Sequence, residues 1–280
     1  MVKRINNLRK IGRDVAKAIR DVPGVVAVAA YGSVAEGHVD KFSDINLVAI
    51  CSKIPKPESR KKVLQKSYEW IVFKNDIVPK WRTAAQDFFF VNGEHVDVTY
   101  KSKKYFDTIA DSVSKNHRIS REIFREIMIY VYNTHILYDP LKVINKIRNN
   151  LPKATPQMVR YFLPDLNKLT TKGSWPNNAL NHAILDKNYL YINNLLDLEL
   201  ENFIISLYVL NKKHYTSPKW AMYSIKEFKF KPKSTFKRLQ EVALLGNKQV
   251  DLKRKINLMQ SLTADLNKLI LKEKVFGIVE

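Results

Sequence analysis

Two short apolar runs limit what this chain can fold into. Val25 to Tyr31 and Ile45 to Ile50 are nearly continuous in apolar residues, rich in β-branched side chains, and bounded by turn residues such as Pro23-Gly24 and Gly32-Ser33. Runs of that length and composition read as strands buried on both faces, which places a sheet at the centre of a layered domain. A helix is predicted ahead of them over residues 4–21, where Ile5, Leu8, Ile11, Val15 and Ile19 recur at three- and four-residue steps. After them the pattern predicts a helix over 58–73, strands over 84–91 and 95–100 joined by Asn92-Gly93, a helix over 103–113 and a short helix over 141–149. Residues 123–137 are apolar without a clear period.

From about residue 152 the strand signals stop. Thr155-Pro156 reads as a helix start, and four or five helices are expected, the last over 248–274. The expected fold class is therefore α+β: a mixed sheet with flanking helices in residues 1–150, then an all-helical domain in residues 151–280. A length of 280 residues with 45% hydrophobic residues supports proper cores in both. One cysteine, Cys51, excludes an intrachain disulfide framework and a cysteine-rich metal site. No apolar stretch approaches a membrane span and no apolar leader opens the chain, so no membrane partner and a cytoplasmic location are expected.

The formal charge is +21, with 27 basic and 16 acidic groups in residues 1–150 and 21 and 11 in residues 151–280. The excess is spread along the whole chain rather than carried by a tail. Such a field attracts polyanions and repels cations.

The segment between the first two strands carries the chemistry. Gly32-Ser33 stands where the first strand ends, so small residues leave room for an anion close to the backbone. Asp44 and Asn46 lie two apart at the start of the second strand and share one face, while Ile45, Leu47 and Ala49 take the other. In His95-Val96-Asp97-Val98-Thr99 the valines share a face and Asp97 points to the opposite one. Carboxylates converging beside a Gly-Ser loop are what metal-assisted phosphoryl transfer requires. Asp40 reads as a turn former, Glu36 and His38 as solvated loop residues, and a lone histidine is no zinc site. Tyr161-Phe162, Tyr189, Tyr191 and Tyr208 have base-stacking chemistry, but their helical spacing reads first as core.

The stretch from Gly32 to Leu47 resembles the signature of the nucleotidyltransferase superfamily that includes DNA polymerase β and the antibiotic nucleotidyltransferases. That signature is Gly-Ser, about a dozen residues, Asp-x-Asp, and a third Asp on a later strand. Gly32, Ser33, Ala35, Gly37, Asp40, Ser43, Asp44, Ile45 and Leu47 fit its small-molecule and antitoxin-like branches. Downstream, Leu207 to Asn211, Tyr215 and Lys219-Trp220 resemble the helical domain of the lincosamide- and aminoglycoside-type enzymes. The resemblance implies transfer of a nucleoside monophosphate from a nucleoside triphosphate to an acceptor hydroxyl, with pyrophosphate released. It implies Mg²⁺ or Mn²⁺ held by Asp44, Asn46 and Asp97, with Asp97 also activating the acceptor. Gly32, Ser33 and Lys219 would bind the nucleotide phosphates. One position departs from the pattern: Asn46 stands where the family has Asp, and a neutral amide is a poor bridge between two metal ions. The alternative expectation is therefore a weakened or silent member that binds nucleotide or nucleic acid. The positive field favours an anionic acceptor such as an RNA end over a polycationic antibiotic.

Overall fold

The computed structural model of the chain describes residues 2–68, 71–75, 84–116, 123, 126–150, 175–211, 213, 215 and 218–273. The chain divides into two compact units, Met1–Pro152 and Lys153–Glu280.

The first unit is built on a six-stranded mixed sheet. Helix α1 (Val2–Ile19) leads into β1 (Val25–Tyr31), a single helical turn α2 (Ser33–Glu36), β2 (Ile45–Cys51) and α3 (Pro57–Leu64). Strands β3 (Ile71–Asn75), β4 (Ala84–Val91) and β5 (Glu94–Ser102) follow, then α4 (Lys103–Asn116), a π-helical turn over Met128–Tyr132, β6 (His135–Tyr138) and α5 (Val143–Asn150). The spatial order is β3-β4-β5-β2-β1-β6. Only β2 and β5 run parallel; the other neighbours are antiparallel.

Alternation along these strands separates two faces. One carries Val28 and Ala30 of β1, Ile45, Leu47 and Ala49 of β2, and Val96, Val98 and Tyr100 of β5, packed with Leu8, Ile11, Val15 and Ile19 of α1. Leu8, Val15 and Ile19 are fully buried, and burial of each such side chain contributes about 1.5–3 kcal/mol. A charged pair lies within this layer. Arg60 of α3 donates through Nε to both carboxylate oxygens of Asp87 at 3.0 Å and through Nη1 to the Pro55 carbonyl at 2.7 Å. Both side chains are completely buried.

The hairpin between β4 and β5 closes through Asn92 (φ 51°) and Gly93 (φ 79°), the twin positive φ values of the tight turn that Asn-Gly favours. Asp139 caps α5, accepting from the Val143 and Ile144 amides at 2.6 and 3.0 Å. The helix expected over 58–73 is corrected: α3 ends at Leu64 and Ile71 begins a strand. β3 pairs Ile71 with Phe89 and Asn75 with Ala85, and the Tyr68 ring stacks on Phe89 with centroids 4.8 Å apart. A short apolar segment suits either period, and the exposed edge of β4 decides between them.

The second unit is helical among its described residues: α6 (Trp175–Leu185), α7 (Tyr189–Leu210), a 3₁₀ turn over Pro218–Trp220, α8 (Ala221–Glu227), α9 (Thr235–Leu244) and α10 (Gln249–Glu273). Its core includes Phe203, Leu207, Tyr215, Leu262 and Leu266. Asn211 ends α7 and closes onto Phe230, accepting from its amide at 2.9 Å and donating to its carbonyl at 2.7 Å. The expected α+β fold with C-terminal helices is what the structure shows. Thr155-Pro156 and Tyr161-Phe162 lie outside the described residues.

Candidate active site

The second face of the sheet carries the polar residues. Register sets them in a row: Tyr31 of β1 is opposite Asn46 of β2, Asn46 is opposite Asp97 of β5, and Asp97 is opposite Phe88 of β4. Residues directly opposite on neighbouring strands have Cβ atoms about 4.5–5.5 Å apart. Asp44 immediately precedes β2 and is held by the row: Asn46 Nδ2 donates to Asp44 Oδ1 across 2.6 Å. The other carboxylate oxygen of Asp44 lies 3.9 Å from His95 Nδ1. Asp44, Asn46 and Asp97 are all half-buried.

Gly32 sits at the end of β1 with φ 70° and ψ −150°, a conformation that L side chains resist. A Cβ there would come 3.7 Å from Asn46 Nδ2, so the loop lies against the amide. Ser33 is buried, and its carbonyl accepts from the Gly37 and His38 amides at 2.9 and 3.0 Å. Asp40 closes the loop, accepting from the Phe42 amide and the Ser43 hydroxyl, each at 2.9 Å.

Below Asp97 the same face continues into hydroxyls and rings. Tyr31 Oη lies 3.4 Å from Thr99 Oγ1, which also accepts from Gln86 Nε2 at 3.2 Å. The Tyr31 and Tyr130 rings meet edge to face at 5.1 Å. Burial, Tyr130 and Asp97 together raise the Tyr31 phenol well above its ordinary value. Burial, Glu126 and Asp97 push Tyr130 up to about 12. Deeper still, the buried Lys101 ammonium pairs with Glu126 at 3.1 Å and lies 4.8 Å from the Tyr105 ring centre.

Four residues around this site were not singled out by the sequence patterns. His95 reaches Asp44. Tyr31 stands in the row. Arg9 Nε donates to the Val34 carbonyl at 3.3 Å, beside the Gly-Ser loop. Arg4 bonds the Asp40 and Ser43 carbonyls at 2.8 and 3.2 Å and pairs with Glu94 at 3.0 Å, so α1 ties the loop to the β4–β5 hairpin. Arg4 and Arg9 carry no local motif, because their partners lie remote in sequence.

Lys219 belongs to the second unit, where its ammonium lies 5.1 Å over the Trp220 ring. Tyr208 is core, edge to face with Tyr215 and Phe228. Among the described residues, no group of three His, Cys, Asp or Glu side chains is arranged to hold a metal ion, and no helix is long and apolar enough to cross a membrane.

No family model and no curated protein matches the chain. The chain is similar to two solved structures. A nucleotidyltransferase-like protein from Exiguobacterium sibiricum matches with 12% identity and a TM-score of 0.41, covering 95% of this chain and 75% of that one. Spectinomycin adenyltransferase AAD(9) from Enterococcus faecialis, solved with ATP and spectinomycin, matches with 12% identity and a TM-score of 0.32, covering 96% and 97%.

Proposed function

We propose that this chain is a nucleotidyltransferase that binds a nucleoside triphosphate with a divalent cation on the polar face of the first unit's sheet, and moves the nucleoside monophosphate to an acceptor hydroxyl. The observation that carries the reading is the row Tyr31, Asn46 and Asp97, with Asp44 bonded to Asn46 and the Gly32 turn against the same amide.

The donor set fits one hard cation. Asp44 and Asp97 supply carboxylate oxygens, and Mg²⁺ needs only one or two of these when substrate phosphates complete its shell. The set does not fit a pair of bridged cations, because the position between the two carboxylates is a neutral amide already committed to Asp44. Asp44 and Asp97 would hold Mg²⁺ or Mn²⁺, with the Asn46 carbonyl as a neutral third oxygen. When bound, the cation supplies Lewis acidity and neutralises phosphate charge.

The chain's own residues do the rest. Gly32 and Ser33 receive the terminal phosphates. Asn46 orients Asp44. Asp97 accepts the proton of the acceptor hydroxyl as that oxygen attacks the α-phosphorus, and the bond to the pyrophosphate oxygen breaks.

A second reading has one observation in its favour. Asn46 uses its amide as a donor to Asp44, which suits a site that binds nucleotide without turning it over. Calorimetric titration with the four ribonucleoside triphosphates, with and without Mg²⁺ or Mn²⁺, tests both readings. Cation-dependent binding that Asp44→Ala weakens is expected. Absence of binding under every cation condition overturns transfer and nucleotide binding alike, and leaves a silent member that binds nucleic acid, which salt-dependent RNA and DNA binding tests. Release of pyrophosphate on adding an acceptor separates transfer from binding.

A further inference from the structure

The β4–β5 hairpin places an aromatic ledge on the same face as the carboxylates. Phe88 is directly opposite Asp97, and Phe90 is opposite His95. The His95 ring lies almost parallel to Phe88, at 17° with centroids 6.1 Å apart, and 5.4 Å from Phe90. Phe90 is 59% exposed. Its ring is therefore open to a ligand, and its neighbour His95 lies 3.9 Å from Asp44. The ledge is also held in place. Arg4 ties Glu94, the first residue of β5, to the Asp40–Ser43 loop that leads into Asp44.

We propose that Phe88, Phe90 and His95 form a stacking platform for the terminal base of a single-stranded RNA whose 3′ hydroxyl is the acceptor. The inference rests on the transferase reading above and names its acceptor class. Three features converge on that ligand. Aromatic faces accept any base by stacking. The ledge adjoins Asp97, the group that takes the acceptor's proton, because Phe88 is directly opposite it. The net charge of +21 complements a polyanion and opposes a polycationic acceptor.

The test uses the full chain and a short 5′-fluorescein-labelled single-stranded RNA, followed by fluorescence anisotropy at fixed salt. Phe90→Ala is expected to weaken RNA binding about tenfold, and Phe90→Tyr to restore it, because loss of one stacked base has that order of effect. The salt dependence should be unchanged, since no phosphate contact is lost. The same protein should bind ATP with Mg²⁺ as the parent does. RNA affinity indifferent to Phe90→Ala, with ATP binding intact, overturns the platform and leaves the transferase reading standing. Absence of ATP binding by the parent chain, with RNA binding still sensitive to Phe90, overturns the transferase reading and with it the acceptor role of the 3′ hydroxyl, and keeps only the stacking contact. Equal affinity for a circularised RNA of the same sequence overturns the 3′-end assignment, and so does absence of RNA binding at any salt.

Discussion

Asn46 donates its amide hydrogen to Asp44 Oδ1 across 2.6 Å. This bond joins the residue before β2 to the second residue of that strand, and it fixes the Asp44 carboxylate without adding charge. A carboxylate at position 46 would instead repel Asp44 until a cation joined them.

Asn46→Asp is therefore expected to have opposite effects with and without a divalent cation. In EDTA the melting temperature should fall, because two carboxylates face each other with no donor between them. With Mg²⁺ and ATP present, affinity for the cation should rise roughly tenfold, since ligand charge tunes such sites strongly. Thermal melts and calorimetry on the same sample check both signs. A variant that melts identically in EDTA and in Mg²⁺ contradicts the assignment.

The Arg60–Asp87 pair predicts a large single-mutant effect. Burial pushes the Asp87 carboxyl up to about 6 against the pull of Arg60, whose Nε bonds both its oxygens. Asp87→Asn strands the buried guanidinium, and stability should fall by about 3–5 kcal/mol. Replacing both residues with apolar side chains of similar volume should recover most of that loss. Urea denaturation of the single and double variants measures the difference.

Alkaline pH should unfold the first unit. Tyr130 is pushed up to about 12 and Tyr31 is raised well above its ordinary value. In the unfolded chain both phenols ionise near pH ~10. Between that pH and about 12 the folded state holds more protons, so stability is full below the unfolded value and falls as pH rises through this window. Tyrosine absorbance at alkaline pH should show these phenols titrating late, together with loss of structure. Tyr130→Phe should shift the alkaline unfolding transition upward.

Cys51 should be silent toward thiol reagents in the folded protein. Its side chain is fully buried at the end of β2, and burial pushes the thiol up to about 12. Since the thiolate is the nucleophile, a disulfide reagent should modify it only after urea unfolding. Rapid labelling of the native protein would contradict the buried placement.

Much of the first unit's architecture was legible in the order of residues. The apolar runs at 25–31 and 45–50 end at turn residues, and β1 and β2 begin where those runs begin. Asn92-Gly93 marked the hairpin because few dipeptides accept two positive φ values in succession. The site's polar residues were legible as candidates because period-two alternation assigns Asp44, Asn46 and Asp97 to a polar face whatever the neighbouring strands are. β3 was not legible. Ile71 to Asn75 is too short for its period to exclude a helix, and only the free edge of β4 makes it a strand.

By itself the sequence determined which face of β2 and β5 is polar, where the tight turns fall, and that helices follow the sheet, because alternation, backbone preference and periodicity are local properties. Only the tertiary structure decided that β2 lies parallel to β5, bringing Asn46 beside Asp97, that His95 reaches Asp44, and that Arg4 ties the loop before Asp44 to the hairpin carrying Phe90. These pairings join residues remote along the chain. Their selection depends on how the whole apolar face of the sheet packs on α1 and α3, which no local window contains.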